Sequence, residues 1–162
     1  MWNNAVFSKL CFMVTTSACF FLLSPAVCAK SPLMVKQEIN RQILKTIRKI
    51  RNEKTVTSRT DAAENLATLT RGINPHRVDD GTLAEMLSVL ETKEDSVRAW
   101  VAVSLGNLGP RAKVAVPRLL KLLPEVDCLR GSLTSAPAIR LALKRMGETP
   151  PPPPNCDAKE KQ

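Results

Sequence analysis

The sequence predicts an all-α fold in which about three helical hairpins stack side by side as an α-α superhelix. Three observations carry this. Apolar residues recur at helical spacing and nowhere alternate as a strand would. Gly-Pro, Asn-Pro and lone Gly residues punctuate the chain at intervals of one helix. Two apolar patterns also repeat. Leu83-x-x-Met86-Leu87-x-Val89-Leu90 overlays Val116-x-x-Leu119-Leu120-x-Leu122-Leu123 at an offset of 33, and Val101-x-Val103-Ser104-Leu105-x-x-Leu108-Gly109 overlays Ile139-x-Leu141-Ala142-Leu143-x-x-Met146-Gly147 at an offset of 38. The five-residue difference falls in the loop EVDCLRGSLTS. One helical pair cannot bury its own apolar faces, so a repeated pair implies stacking.

The elements follow in order. A first helix is expected over 32–53, where Val35, Ile39, Ile43, Ile47 and Ile50 form one stripe. TSRTDAAENLATLTRG gives a second, with Ser58 and Asp61 as a weak capping box and Gly72 as its stop. Asn74-Pro75 then turns the chain. A third helix is expected over about 82–91 from a Thr82/Glu85 capping box, with Leu83, Met86, Leu87 and Leu90 inward. A fourth spans 96–108, capped by Asp95 or Ser96 and ended by Gly109-Pro110. The fifth carries Pro117 in its first turn and reaches Leu123, because an interior proline costs about 3 kcal/mol. The sixth covers about 136–146, with Pro137 in its first turn and Gly147 at its end.

The chain has 162 residues and a formal charge of +9. Residues 1–29 read as a signal peptide: Lys9 precedes an apolar run from Leu10 to Leu23, and Val27-Cys28-Ala29 suits cleavage after Ala29. That run is short for a membrane span, which needs about 20 residues. An uncleaved anchor is the lesser alternative, and neither Cys19 nor Cys28 follows a lipoprotein-type triplet. Residues 30–148 then form the helical domain and 149–162 a Pro-rich tail. Exported, periplasmic or secreted placement follows. The mature chain keeps Trp100 as its one large aromatic, so its core must be aliphatic. It also keeps two cysteines, Cys128 and Cys156, which in an exported chain read as a disulfide pinning the tail over the last hairpin.

Charge is uneven. Lys30 to Lys54 holds eight basic residues against Glu38 and Glu53, a local +6. Lys36, Arg41, Lys45, Arg48, Lys49 and Arg51 form the basic surface of the first helix. A solvated polar face is the plain reading. Attraction to an anionic envelope surface or an acidic protein is the sharper one. No nucleic-acid motif is present, and an exported chain rarely meets such a partner.

DSVRAWVAVSLGNLGPRAKVAVPRLLKLL resembles a HEAT repeat of the short kind also found in phycobilisome-lyase-like proteins. The matching residues are Val97-Arg98, Ala102, Leu105-Gly106, Leu108-Gly109-Pro110, Ala115-Val116-Pro117 and Leu119 to Leu123. The match covers about 95–123, and a degraded form extends over about 60–147. The resemblance implies a stacked architecture whose second helices line a concave face, and a structural ladder from Asp95 and Arg98. Position 136, aligned with Arg98, is Ala, so the ladder is expected to stop before the last repeat.

Fold does not fix function, so chemistry has to be sought in sites. The sole histidine, His76, lies in NPHRVDD; with Asp79 or Asp80 it makes a poor metal site, and it reads as a solvated loop residue. Cys128 and Cys156 lack zinc spacing. No phosphate loop, nucleophile elbow or His-Glu-x-x-His motif occurs, so no catalytic residue, metal or cofactor is expected, and a lyase or hydrolase is the weaker reading. The expected function is a protein-binding adaptor or inhibitor, in a specific version an immunity-type inhibitor, with Arg98, Trp100, Arg111 and Lys113 as the binding surface. An envelope-associated factor held by the basic helix is the alternative.

Overall fold

The computed structural model describes residues 32–129 and 134–156. The signal peptide expected over residues 1–29 and its expected cleavage site lie outside these residues. The described chain is helical throughout and contains no strand.

Helix α1 runs Pro32–Asn52. Its stripe works as expected: Ile43, Ile47 and Ile50 are buried, and Ile39 packs against them. Asn40 lies on the same stripe and is buried too. Its amide donates to the Arg77 carbonyl at 2.8 Å and its Oδ1 accepts from the Asp79 amide at 3.0 Å. A buried amide with both ends bonded is tolerated, and it pins the next loop onto α1.

Helix α2, Val56–Thr70, begins before the expected box. Thr55 is its cap, accepting from the Ser58 amide at 3.1 Å, while the Ser58 hydroxyl meets Thr55 Oγ1 at 2.7 Å. Ser58 is therefore the third helical residue and not the cap. Gly72 adopts φ 80°, the left-handed stop expected of it. A 3₁₀ turn, Pro75–Arg77, is capped by Asn74.

Helix α3, Asp80–Val89, corrects a second cap. Asp79 accepts from the Thr82 amide at 2.6 Å, so Thr82 is already helical. Its side chain is buried and its hydroxyl has no partner. Helix α4, Asp95–Leu108, corrects a third: Glu94 occupies the cap position and its side chain makes no capping bond. Asp95 and Ser96 bond to neighbouring helices instead.

After Gly109 the chain makes a 3₁₀ segment, Gly109–Ala115, and enters α5, Val116–Val126. Pro117 sits in its first turn as expected, but α5 continues past Leu123 with Pro124 inside. The bond that Pro124 cannot make would go to Leu120. Both residues are exposed, so water can take that carbonyl. Helix α6, Ser135–Arg145, ends at Gly147 with φ 87°, and the Glu148 amide returns to the Leu143 carbonyl at 2.9 Å. That is a Schellman-type closure.

Helix α4 packs between α2 and α6. At one end Thr60 Oγ1 meets Ser96 Oγ at 2.8 Å, and the Asp95 carboxylate accepts the Ser135 amide at 2.8 Å. At the other, Asn107 donates to the Ala67 carbonyl at 2.9 Å and accepts from Arg145 at 2.8 Å. Bonds joining like ends make the three helices parallel. Arg98 bonds Asp95 and the turn before α4, and Ala136 offers no arginine to continue such pairing; Asp95 nevertheless reaches Ser135 on α6. Gly106 lets α4 approach α6 closely, since a Cβ there would stand 3.0 Å from the Ala142 Cα.

Helices α1 and α3 also run parallel. Asn40 ties one end, and Arg51 ties the other, to Glu85 at 2.6 Å and Ser88 at 2.5 Å. One continuous aliphatic core runs from Ile43 through Leu66, Met86, Leu105 and Leu119 to Met146. Trp100 packs on its edge.

Candidate functional site

The four residues expected to form a binding surface stand apart. Arg98, only 12 % exposed in its side chain, donates to the Thr92 carbonyl at 2.6 Å and the Leu90 carbonyl at 3.3 Å, with Asp95 at 3.5 Å. These carbonyls lie at the carboxyl end of α3, where a cation is favoured. Arg98 therefore joins α4 to the preceding turn. Arg111 lies near the opposite end of α4, roughly 16 Å away along its axis. It bonds the Val78 carbonyl at 3.1 Å and Asp80 at 2.5 Å. Lys113 stands beside it, exposed, with Glu148 at 3.9 Å.

Trp100 is the one of the four on the long side of α4. It is half-buried against the core edge. Helical geometry places Ser96, Val103 and Asn107 on the same side, at steps of four, three and four around Trp100. Val103 is half-buried, and on α6 Leu141 is 44 % exposed. This side of the α2–α4–α6 row thus offers an indole and aliphatic groups between polar ends.

Sequence reasoning missed a second feature, on the α1–α3 side. An open groove of about 370 Å³ has Leu44, Ile47 and Thr82 as its floor, Arg48 and Arg51 on one wall, and Asp79 and Glu85 on the other. A further hollow of about 310 Å³ shares Arg51 and continues to Arg59, Glu91 and Glu94. Arg59 pairs with Glu94 at 2.6 Å. The Glu94 carboxyl is held below its ordinary value, first by the Thr92 hydroxyl that donates to it and then by its own backbone amide and Arg59, while burial opposes the shift. The walls carry opposite charges, so the groove as a whole is close to neutral.

The basic surface of α1 divides. Lys36 is half-buried, Arg41 pairs with Glu38, and Lys49 lies 4.0 Å from Glu53. Arg51 turns inward to α3. Lys45 and Arg48 are exposed and form no ion pair among the described residues. His76 is exposed on its 3₁₀ turn. Among the described residues, no group of three or more acidic, His or Cys side chains is placed to hold a metal.

Cys128 and Cys156 meet in a disulfide, with Cα atoms 5.5 Å apart across 28 residues of chain. Cys128 follows α5, so the tail leaving α6 at Gly147 returns along the last hairpin. Behind the bond, Arg140 donates to both oxygens of the Asp127 carboxylate. Pro151 to Pro154 are exposed along this strap. Among the described residues, no helix is long and apolar enough to cross a membrane.

Comparison with protein-family models, with curated proteins and with solved structures gives no match.

Proposed function

We propose that the chain is an exported protein-binding module of the HEAT-like kind, a short solenoid of three hairpins acting as an adaptor or inhibitor, with an immunity-type inhibitor as its specific version. One observation carries this reading. The hydrogen bonds that tie one hairpin to the next join residues 31 to 40 apart in sequence. Asn40 with Arg77, Thr60 with Ser96, Asn107 with Thr70 and Arg145 with Asn107 are examples. A separation that recurs at one period is what nearest-neighbour stacking produces. The disulfide agrees with export to an oxidising compartment.

Such a row is useful for binding because its surface is fixed before the partner arrives. Side chains already held by lateral bonds lose little freedom on association. Trp100 is the natural anchor, since half-buried tryptophan is enriched among residues that dominate binding energy. Val103 on α4 and Leu141 on α6 extend the contact beyond it.

The test is crosslinking and capture from the native envelope, using the intact protein and two variants. Leu141→Glu alters an exposed position and leaves folding intact; Trp100→Ala removes the anchor. One stoichiometric protein lost with both variants supports the reading. Equal capture by both, with unchanged circular dichroism, removes this surface from consideration.

A further inference from the structure

We propose that the outer ridge of α1 docks on an anionic phospholipid surface. This goes beyond the binding-module reading and does not depend on it.

Met34, Arg41, Lys45 and Arg48 follow one another on α1 at steps of seven, four and three, which places them on one line. Arg41 and Lys45 lie opposite Ile43, Ile47 and Ile50, which are buried, while Arg48 stands at the edge of the line, on the wall of the groove between α1 and α3. Met34, Arg41 and Lys45 therefore face away from the core. It spans about 21 Å from Met34 to Arg48 at the helical rise. Within Pro32–Asn52 the basic residues are Lys36, Arg41, Lys45, Arg48, Lys49 and Arg51, against Glu38 alone.

Two features select a bilayer over other polyanions. The first is shape: α1 is the edge helix of the domain, and its outer face is a straight convex ridge. A ridge presents all its charges at once to a plane, and only a few of them to a globular partner. The second is the apolar end. Leu33 is 63 % exposed and Met34 59 % exposed, at the amino-terminal end of α1. Hydrocarbon beside a row of cations matches the boundary between phosphate headgroups and acyl chains. A purely charged polymer offers nothing to Leu33 and Met34.

The structure also identifies which charges are available. Lys45 and Arg48 form no ion pair among the described residues, with Arg48 across the groove from Asp79 and Glu85, whereas Arg41 is engaged by Glu38 and Arg51 by Glu85. Each cation brought to an anionic surface changes affinity by about fivefold.

The experiment measures partitioning of the full chain onto vesicles with about a quarter phosphatidylglycerol in phosphatidylcholine. Arg41→Gln/Lys45→Gln/Arg48→Gln is expected to weaken binding by roughly a hundredfold, from about fivefold per charge. Lys93→Gln/Lys121→Gln/Lys144→Gln removes three exposed cations elsewhere and is expected to change it little. Should the first triple fold poorly, Lys45→Gln/Arg48→Gln breaks no ion pair and is expected to lose about twenty-fivefold by the same rule. Raising salt from about 0.1 to 0.5 M shortens the screening length and is expected to release the wild type. Leu33→Ser is expected to weaken vesicle binding while leaving affinity for soluble polyglutamate unchanged. Equal losses in both triples would mean diffuse charge attraction and overturn the proposal. So would equal binding to pure phosphatidylcholine vesicles, or a Leu33→Ser variant that binds vesicles like wild type.

Discussion

Asp95 gives the sharpest test of how the row is held. Helix α6 has Thr134 at its cap position, and that side chain makes no capping bond. The first amide of α6, Ser135 N–H, is instead accepted by Asp95 Oδ2 at 2.8 Å, and Oδ1 accepts the Ser135 hydroxyl. One helix is thus capped by its neighbour. Ser135 is fully buried, so water cannot replace either bond. Asp95→Ala leaves a buried donor unsatisfied, at about 1–3 kcal/mol, and removes a charge-assisted bond worth about 1.5–3 kcal/mol. These overlap, and about 3 kcal/mol is expected in total. Asp95→Asn keeps the shape and one acceptor and should lose about 1–2 kcal/mol. Ser135→Ala should lose about 1 kcal/mol. Guanidinium unfolding followed by far-ultraviolet circular dichroism measures all three, with the denaturant slope unchanged if the row stays intact. The double variant should then show a coupling of at least about 1 kcal/mol. If Asp95→Ala costs less than about 0.5 kcal/mol, as an ordinary surface change does, capping between hairpins is wrong and α6 is held by packing alone.

Other outcomes follow from single positions. Gly106→Ala should gain about 1 kcal/mol of helix propensity yet lose about 1–3 kcal/mol to overpacking against Ala142, whereas Gly81→Ala, whose Cβ meets nothing closer than 3.7 Å, should be neutral or stabilising; thermal unfolding compares them. The Glu94 carboxyl is held below its ordinary value by Thr92 and then by its own backbone amide and Arg59, so its charged form is favoured by folding. That contribution is present above the unfolded glutamate value of about 4.3 and is lost as pH falls through the lower folded value. The stability difference between wild type and Glu94→Gln should therefore be constant near neutrality and shrink below about pH 4. Cys128→Ser/Cys156→Ser should lose roughly 3–4 kcal/mol by the chain-entropy relation for a loop of this length, with helix content unchanged before the transition.

Helical periodicity made most of the fold legible. The stripe of α1, the stops at Gly72, Gly109 and Gly147, and the place of Pro117 all follow from local physics that the chain carries in a single segment. The caps were less legible, because several acceptors competed for each helix start. Thr82 with Glu85 has the form of a capping box, but Asp79 reaches the Thr82 amide first and Glu85 turns to Arg51. Asp95 reads as a cap for its own helix and serves the next one. The pairing of Cys128 with Cys156 was readable from cysteine number once residues 1–29 were set aside as the expected signal peptide. The groove between α1 and α3 was not, since its walls come from segments about one repeat apart and neither wall has a motif. One signal was present: the apolar patterns recur at offsets of 33 and 38, and residues separated by that distance, such as Thr60 and Ser96, are the ones that end up bonded.

The two ends of the row pose the same physical problem, and the chain solves it differently at each. On the proposed stacked reading, each end of the row leaves an apolar side that needs a polar cover. Beyond α6 the described residues end in a strap of exposed prolines that the Cys128–Cys156 disulfide fastens to the end of α5. At the other end lies α1, whose outer face carries Arg41 and Lys45. Solubility accounts for that face being polar, and mixed signs would serve that need equally well. It does not account for Lys45 forming no ion pair among the described residues, while Arg51, on the side toward α3, is neutralised by Glu85. On the proposed docking reading, an anionic surface gives that unpaired charge a use.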